Sequence, residues 1–375
     1  MHDSRPEQSV VGIRVLHRDE AQRWTGQRET RAVPQLVALV SNACEEWEPG
    51  VERAILGTGA ANEIATIIES FVGSRCGPIS DGIFYRPGVG IVAGLRLNDS
   101  SEVVVKIHRW NVSIDRLAAV QKVQATLADE GLPVPRPLTE PEPLVRGIAT
   151  IEELRPGGRA SGRDPVVRRA IAEGLHTFIT AAAPLVGHVN VGTPLLLRPA
   201  TAPLWFEPHD VRFDFDGTAA GAEWIDSLAA LARRRLEKAG SNAVIGHFDW
   251  RVENLAFQDK DICAIYDWDS VCAAPEAIVV GNTAAQFTAD WTELEDDPLP
   301  SVGEMRSFVG DYELARGATF DAAERELLDA ANLFLCAYGA RCQHSDMTKQ
   351  PEIARTASSG WYRLLRERGE RALIG

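Results

Sequence analysis

Val244-Ile245-Gly246-His247-Phe248-Asp249-Trp250-Arg251-Val252-Glu253-Asn254-Leu255 runs from an apolar strand into a polar loop and back into apolar chain. Thirteen residues after Asn254 stands Asp267, in Ala264-Ile265-Tyr266-Asp267-Trp268-Asp269, a second apolar strand that ends in acids. A carboxylate, an amide and a second carboxylate at strand ends are the residue types that phosphoryl transfer needs. One carboxylate accepts a hydrogen bond from an attacking hydroxyl, a role that suits Asp249. A second carboxylate and an amide oxygen hold Mg²⁺ between phosphates, and Asp267 and Asn254 offer such hard oxygen ligands. Taken alone, the first segment also fits a strand-loop-strand hairpin with a capping Asp and a turn Asn. The second Asp, at that distance and on a strand end, separates the two readings.

The remainder of the chain is compatible with such a centre. It has 375 residues, 45% hydrophobic and 25% charged, which is ordinary for a globular protein and long enough for two lobes with separate cores. The formal net charge of -14 disfavours a phosphate backbone as partner, so no nucleic acid is expected, and it suits a cationic or neutral small molecule. Six cysteines without a C-x-x-C pair read as reduced thiols. The N-terminal MHDSRPEQSV has no apolar core of a signal peptide, and no apolar run reaches 18 residues. The expectation is a cytoplasmic protein with no membrane partner; the sequence leaves its oligomeric state open.

Periodicity divides the chain into a β-rich part and a helical part. Pro34 to Trp47 and Asn62 to Phe71 have helical apolar spacing. Ile83 to Tyr85, Ile91 to Leu97 and Glu102 to His108 read as strands, the last two joined by the turn Asn98-Asp99-Ser100-Ser101. Ile114 to Glu130 reads as a helix closed by Gly131, and Thr150 to Leu154 as a strand stopped by Pro156-Gly157-Gly158. Beyond that, Pro165 to Ala183, Ala222 to Ala239, Pro275 to Asp290, Val302 to Arg316, Asp321 to Cys342 and Pro351 to Arg368 read as helices. Short strands at Ala243 to Gly246 and Ile262 to Tyr266 flank the polar loop. The predicted organisation is a mostly helical extension over 1–75, a β-rich N-lobe over 76–154 and an α-helical C-lobe over 155–375.

The segment His247-Phe248-Asp249-Trp250-Arg251-Val252-Glu253-Asn254, followed by Tyr266-Asp267-Trp268-Asp269, resembles the catalytic loop and metal motif of the aminoglycoside phosphotransferase and choline kinase group, whose pattern is H-G-D-x-x-x-x-N and then I-D-W/F-D/E. Phe248 stands in place of the usual Gly, and Tyr266 where Ile is commoner. The resemblance implies an α+β, two-lobed protein-kinase-like fold, with ATP and Mg²⁺ as cofactors and a small-molecule hydroxyl as acceptor. His247 would support the loop rather than act as a base.

The same resemblance assigns further residues. Lys106, within Val103-Val104-Val105-Lys106-Ile107, would reach the α- and β-phosphates. In the family a Glu of the next helix holds this lysine, and here no Glu sits there. Gln121 could hydrogen-bond the lysine, Asp115 could hold it, or the alignment could be a turn out. Gly88 and Gly90, in Pro87-Gly88-Val89-Gly90, suit a phosphate-covering hairpin loop and equally a plain turn. The backbone of Glu153 or Leu154, at the end of Ile151-Glu152-Glu153-Leu154, would pair with adenine's edge. Asp290, Trp291 and Glu293 fall where the family builds its acceptor pocket, although a solvated acidic loop also explains them.

Two other classes compete. A protein kinase would carry H-R-D, D-F-G and A-P-E segments, and this chain has none of them. A pseudokinase that binds nucleotide without transfer would be consistent with the missing helix Glu. No G-x-x-x-x-G-K-[ST] occurs, which disfavours a P-loop enzyme.

Overall fold

The N-terminal sheet is built from β1 (Ile79–Pro87), β2 (Ile91–Leu97), β3 (Glu102–His108), β4 (Glu142–Leu144) and β5 (Gly147–Glu153). The computed structural model describes residues 33–46, 48–109, 112–199, 201–210, 212–240, 242–291, 298–349 and 360–372. The strand order is β1-β2-β3-β5-β4, with every neighbouring pair antiparallel. Because side chains alternate along a strand, β3 and β5 divide their residues between two faces. Val103, Val105, Ile107, Ala149 and Ile151 enter the N-lobe core. Val104, Lys106 and His108, with Thr150 and Glu152 across from them, share the opposite face.

Three helices cover the first face: α1 (Pro34–Glu46), α2 (Gly50–Leu56) and α3 (Ala61–Cys76). Leu36, Val40, Ile55, Ile64, Ile68 and Phe71 are buried against the sheet. The helical reading of this stretch was therefore legible, but α2 was not, being too short to show a period. Residues 1–32 of the expected extension lie outside the described residues. Helix α4 (Ile114–Asp129), capped by the Ser113 side chain, faces the C-lobe and buries Val120, Val123 and Leu127 in that lobe's core.

The C-lobe contains α5 (Pro165–Ala182), α6 (Glu223–Leu236), α7 (Glu276–Ala284), α8 (Val302–Arg316), α9 (Ala322–Lys349) and α10 (Trp361–Arg368). Asp164 caps α5 ahead of Pro165, and Ser301 with Glu304 forms a capping box on α8. Two small hairpin-like pairs carry the loops of interest: β6 (Val244–His247) with β9 (Val271–Ala274), and β7 (Leu255–Gln258) with β8 (Asp261–Ile265). Strands β4, β7 and β9 have three or four residues each, too few for a pattern in the sequence. The predicted helix to Asp290 ends at Ala284, and that from Pro351 begins at Trp361, with 351–359 outside the described residues. All six cysteines are free, as expected.

Helices α7 and α9 cross closely at Gly281, where an added Cβ would overlap the Leu328 carbonyl oxygen. Alanine is the better helix former by about 1 kcal/mol. The obstructing atom is backbone, however, so overpacking of ~1–3 kcal/mol outweighs that gain. Gly281→Ala is expected to lower the melting temperature by several degrees, read by circular dichroism; a rise would show that the helices separate freely.

Candidate active site

Burial fixes the loop after β6 from behind. Trp250 is wholly buried and its indole N–H donates to Ile171 O of α5 at 2.9 Å. Asn282 and Gln286 both donate to Phe248 O, at 2.6 and 2.8 Å. His247 is buried and bridges the two motifs: Nε2 meets Tyr266 O at 2.8 Å, while Nδ1 meets Asp249 N at 3.2 Å and the Ser270 hydroxyl at 3.0 Å. A proton on Nε2 leaves Nδ1 as the acceptor for both. Burial pushes the His247 imidazole below its ordinary pKa, so it stays neutral, which suits a support rather than a base.

These contacts bring Asp249 and Asn254 together. The Asn254 amide donates to Asp249 O at 2.9 Å and to Asp249 Oδ2 at 2.8 Å. Both donors are thus directed at Asp249, and the amide oxygen is left for another ligand. Arg251 pairs with Asp249 Oδ1 and, at 3.2 Å, with Glu253 Oε2. Burial opposes its charge, but the carboxylates of Asp249, Glu253 and Asp267 outweigh that and hold the guanidinium above its usual pKa. The sequence reading left Arg251 unassigned; a cation between two acids in a catalytic loop was the available signal.

Asp267 occupies a left-handed backbone conformation, φ 64°, which is uncommon for a residue other than glycine. The bend places it beside Asp269, Lys106 and Asp249. Burial raises its pKa well above the carboxylate range, reinforced by the negative charges of Asp269 and Asp249 and opposed by Lys106. Asp269 moves the other way: despite burial, its carboxyl is held low by His108, whose Nδ1 is 3.5 Å away. Two crowded acids and an amide oxygen form a set of hard oxygen donors with excess negative charge, which fits a divalent cation.

Lys106 projects into this group from β3. Its Nζ lies 3.1 Å from Glu152 Oε1. Burial alone would lower its pKa, but Glu152, Asp267 and Asp269 together raise it, so the lysine is charged. The lysine's acid therefore comes from strand β5 and not from α4. Gln121, offered as a partner, donates instead to Thr139 O at 3.0 Å.

The other expected residues are placed as follows. Gly88 and Gly90 form the β1–β2 turn, with Gly88 N bonded to Gly90 O at 2.8 Å. A Cβ at Gly90 would lie 2.6 Å from Ile107 O, so that glycine is accounted for by strand packing, whereas Gly88 has open space around it. The amides of Glu153 and Leu154 already donate to Arg136 O and Glu102 O, at 2.9 and 3.0 Å. The chain after them is tied to the C-lobe: the Tyr266 hydroxyl donates to Arg155 O, and Gly158 and Phe257 exchange backbone bonds. Tyr266 thus links the lobes' connection to the Asp267 turn, which an Ile could not do. Asp290 is paired with Arg159, so its charge is compensated. Trp291 is 47% exposed, with its backbone N–H on Glu253 at 3.2 Å and its ring 5.8 Å from Trp361. Glu293 lies outside the described residues.

Among the described residues, no helix is long and apolar enough to cross a membrane. The family model described as the phosphotransferase enzyme family matches residues 95–317. Compared with curated proteins, the chain finds no match. Among solved structures it is similar to a microcompartment-associated aminopropanol kinase, with 16% identity, TM-score 0.59, and 83% of this chain and 100% of that one covered. It is also similar to amicoumacin kinase in complex with AMP-PNP, Ca²⁺ and Ami, with 12% identity, TM-score 0.53, and 77% and 88% covered. A third is the AMP-bound complex of spectinomycin phosphotransferase, with 12% identity, TM-score 0.51, and 82% and 96% covered. At these identities the likenesses establish the fold, the two-lobed fold of small-molecule kinases.

Proposed function

As the chain belongs to the phosphotransferase enzyme family, we propose that it transfers the γ-phosphate of ATP to a hydroxyl of a small molecule, with Asp249 receiving the hydroxyl's hydrogen bond. The observation that carries this reading is the convergence of Asp249, Asn254, Asp267 and Lys106, from three separate segments, on one cluster between the N-lobe sheet and the C-lobe loops. Residues 76–154 supply the nucleotide side, 155–375 supply the catalytic loop and acceptor side, and the helices before residue 76 buttress the sheet.

Each group has a definable task. Lys106, charged and fixed, meets the α- and β-phosphates. Asn254 and Asp267 would hold Mg²⁺, which when bound neutralises charge on the phosphates. Asp249 orients the acceptor hydroxyl toward the γ-phosphorus and takes up its proton as the O–P bond forms and ADP leaves. Glu253 keeps Arg251 beside Asp249 and accepts from the backbone N–H of the exposed Trp291, which brings an indole ring near these acids. An aromatic face beside carboxylates suits an amine-bearing acceptor. Structural neighbours named for aminopropanol, amicoumacin and spectinomycin support testing amino alcohols and antibiotics as acceptors.

The test is consumption of ATP with Mg²⁺ against aminoglycosides, amino sugars, amino alcohols and macrolides, with product mass increased by one phosphoryl group. Tight nucleotide binding with no transfer to any member would favour the pseudokinase reading.

A further inference from the structure

We propose that Glu152, on the strand leading to the inter-lobe connection, is the positioning residue for Lys106 and takes over the task of the missing helix acid. The proposal rests on the reading of that cluster as a nucleotide site and concerns how that site is held ready.

The placement follows from strand register. Lys106 stands opposite Thr150 and Val104 opposite Glu152, so Lys106 and Glu152 are diagonal neighbours on one face of the sheet. Glu152 is 5% exposed, and an isolated buried carboxylate is costly. Its two oxygens are divided between two partners. Oε2 accepts from Gln124 Nε2 at 2.7 Å, and Oε1 faces Lys106 Nζ at 3.1 Å with no aligned hydrogen bond of its own. Gln124 is itself held, since the same Nε2 donates to Pro135 O at 2.9 Å. Helix α4 thus contributes an amide that orients the acid, and the sheet contributes the acid.

The arrangement has a mechanical consequence. An acid on a helix holds the lysine only while the helix is docked. Here lysine and acid belong to adjacent hydrogen-bonded strands, and their separation is set by the ladder between β3 and β5. Movement of α4 would remove the Gln124 bond and leave the Lys106–Glu152 pair in place. The lysine is therefore set for the phosphates before nucleotide arrives.

Binding of Mg²⁺ and AMP-PNP, measured by calorimetry, tests this without knowledge of the acceptor. E152Q keeps the shape and removes the charge; a charged hydrogen-bonding partner is worth enough that about a 10- to 100-fold weaker affinity is expected. E152D keeps the carboxylate, and with it the acceptor for Gln124 and the attraction on Lys106. It is expected to recover most of the loss. Unchanged affinity in E152Q overturns the proposal. So does a loss as large in E152D as in E152Q when both melt as the parent does, because the missing charge would then not be its cause. Should E152Q fail to fold, E152D alone decides: binding within about tenfold of the parent supports the proposal, and no binding overturns it. A parent chain that binds no nucleotide would instead refute the phosphotransferase reading.

Discussion

Asp249→Asn is expected to lower kcat for phosphoryl transfer by ~10²–10⁴, with nucleotide affinity close to that of the parent. The asparagine keeps the volume and retains an oxygen for Arg251; it gives up the bond from the Asn254 side chain to Asp249 Oδ2, while the bond from Asn254 to Asp249 O remains to hold the loop. It lacks the negative charge that draws the hydroxyl proton. Loop geometry is further protected by contacts that Asp249's side chain does not make: Trp250 to Ile171, Asn282 and Gln286 to Phe248, and His247 to Tyr266. Transfer at the parent's rate in Asp249→Asn would remove the role assigned to that residue. A loss confined to KM for ATP would place Asp249 on the nucleotide side instead.

Asp267→Asn is expected to separate stability from function. Its carboxyl is buried, crowded by Asp269 and Asp249, and its pKa is raised because these effects outweigh the attraction of Lys106. Removing the charge relieves that conflict, so the ligand-free variant should melt at or above the parent's temperature. Its Mg²⁺-dependent function should collapse, since charge neutralisation by a metal at transferring phosphates is worth several kcal/mol; a fall in kcat/KM on the order of 10³ is expected. Thermal melts with and without Mg²⁺-AMP-PNP provide the check. The parent should gain stability from the pair and Asp267→Asn should gain little. Equal stabilisation of both would exclude Asp267 as the metal ligand.

Legibility in the sequence followed the range of the interactions involved. The Asp249–Asn254 pair lies five positions apart in one loop and shows itself as spacing. Strands β2 and β3 and helices α4, α5 and α8 showed themselves as period and caps, because burial of one face is a local pattern. Strands β4, β7 and β9 did not, because three or four residues leave little alternation to see, and helix α2 did not, because seven residues make only about two helical turns. Asp290 read as an acid of a solvated loop or of an acceptor pocket, and its neutralisation by Arg159, 131 positions earlier, has no local trace.

The sequence by itself determined which carboxylates, which amide and which lysine are present, in an order that resembles the phosphotransferase motifs. Only the tertiary structure decided how the lysine is held. The family resemblance pointed to the next helix for its acid. The acid instead stands across a strand pair, where contact depends on register rather than on distance along the chain. The same is true of the left-handed turn at Asp267, whose crowding with Asp269, Asp249 and Lys106 exists only once both lobes are folded.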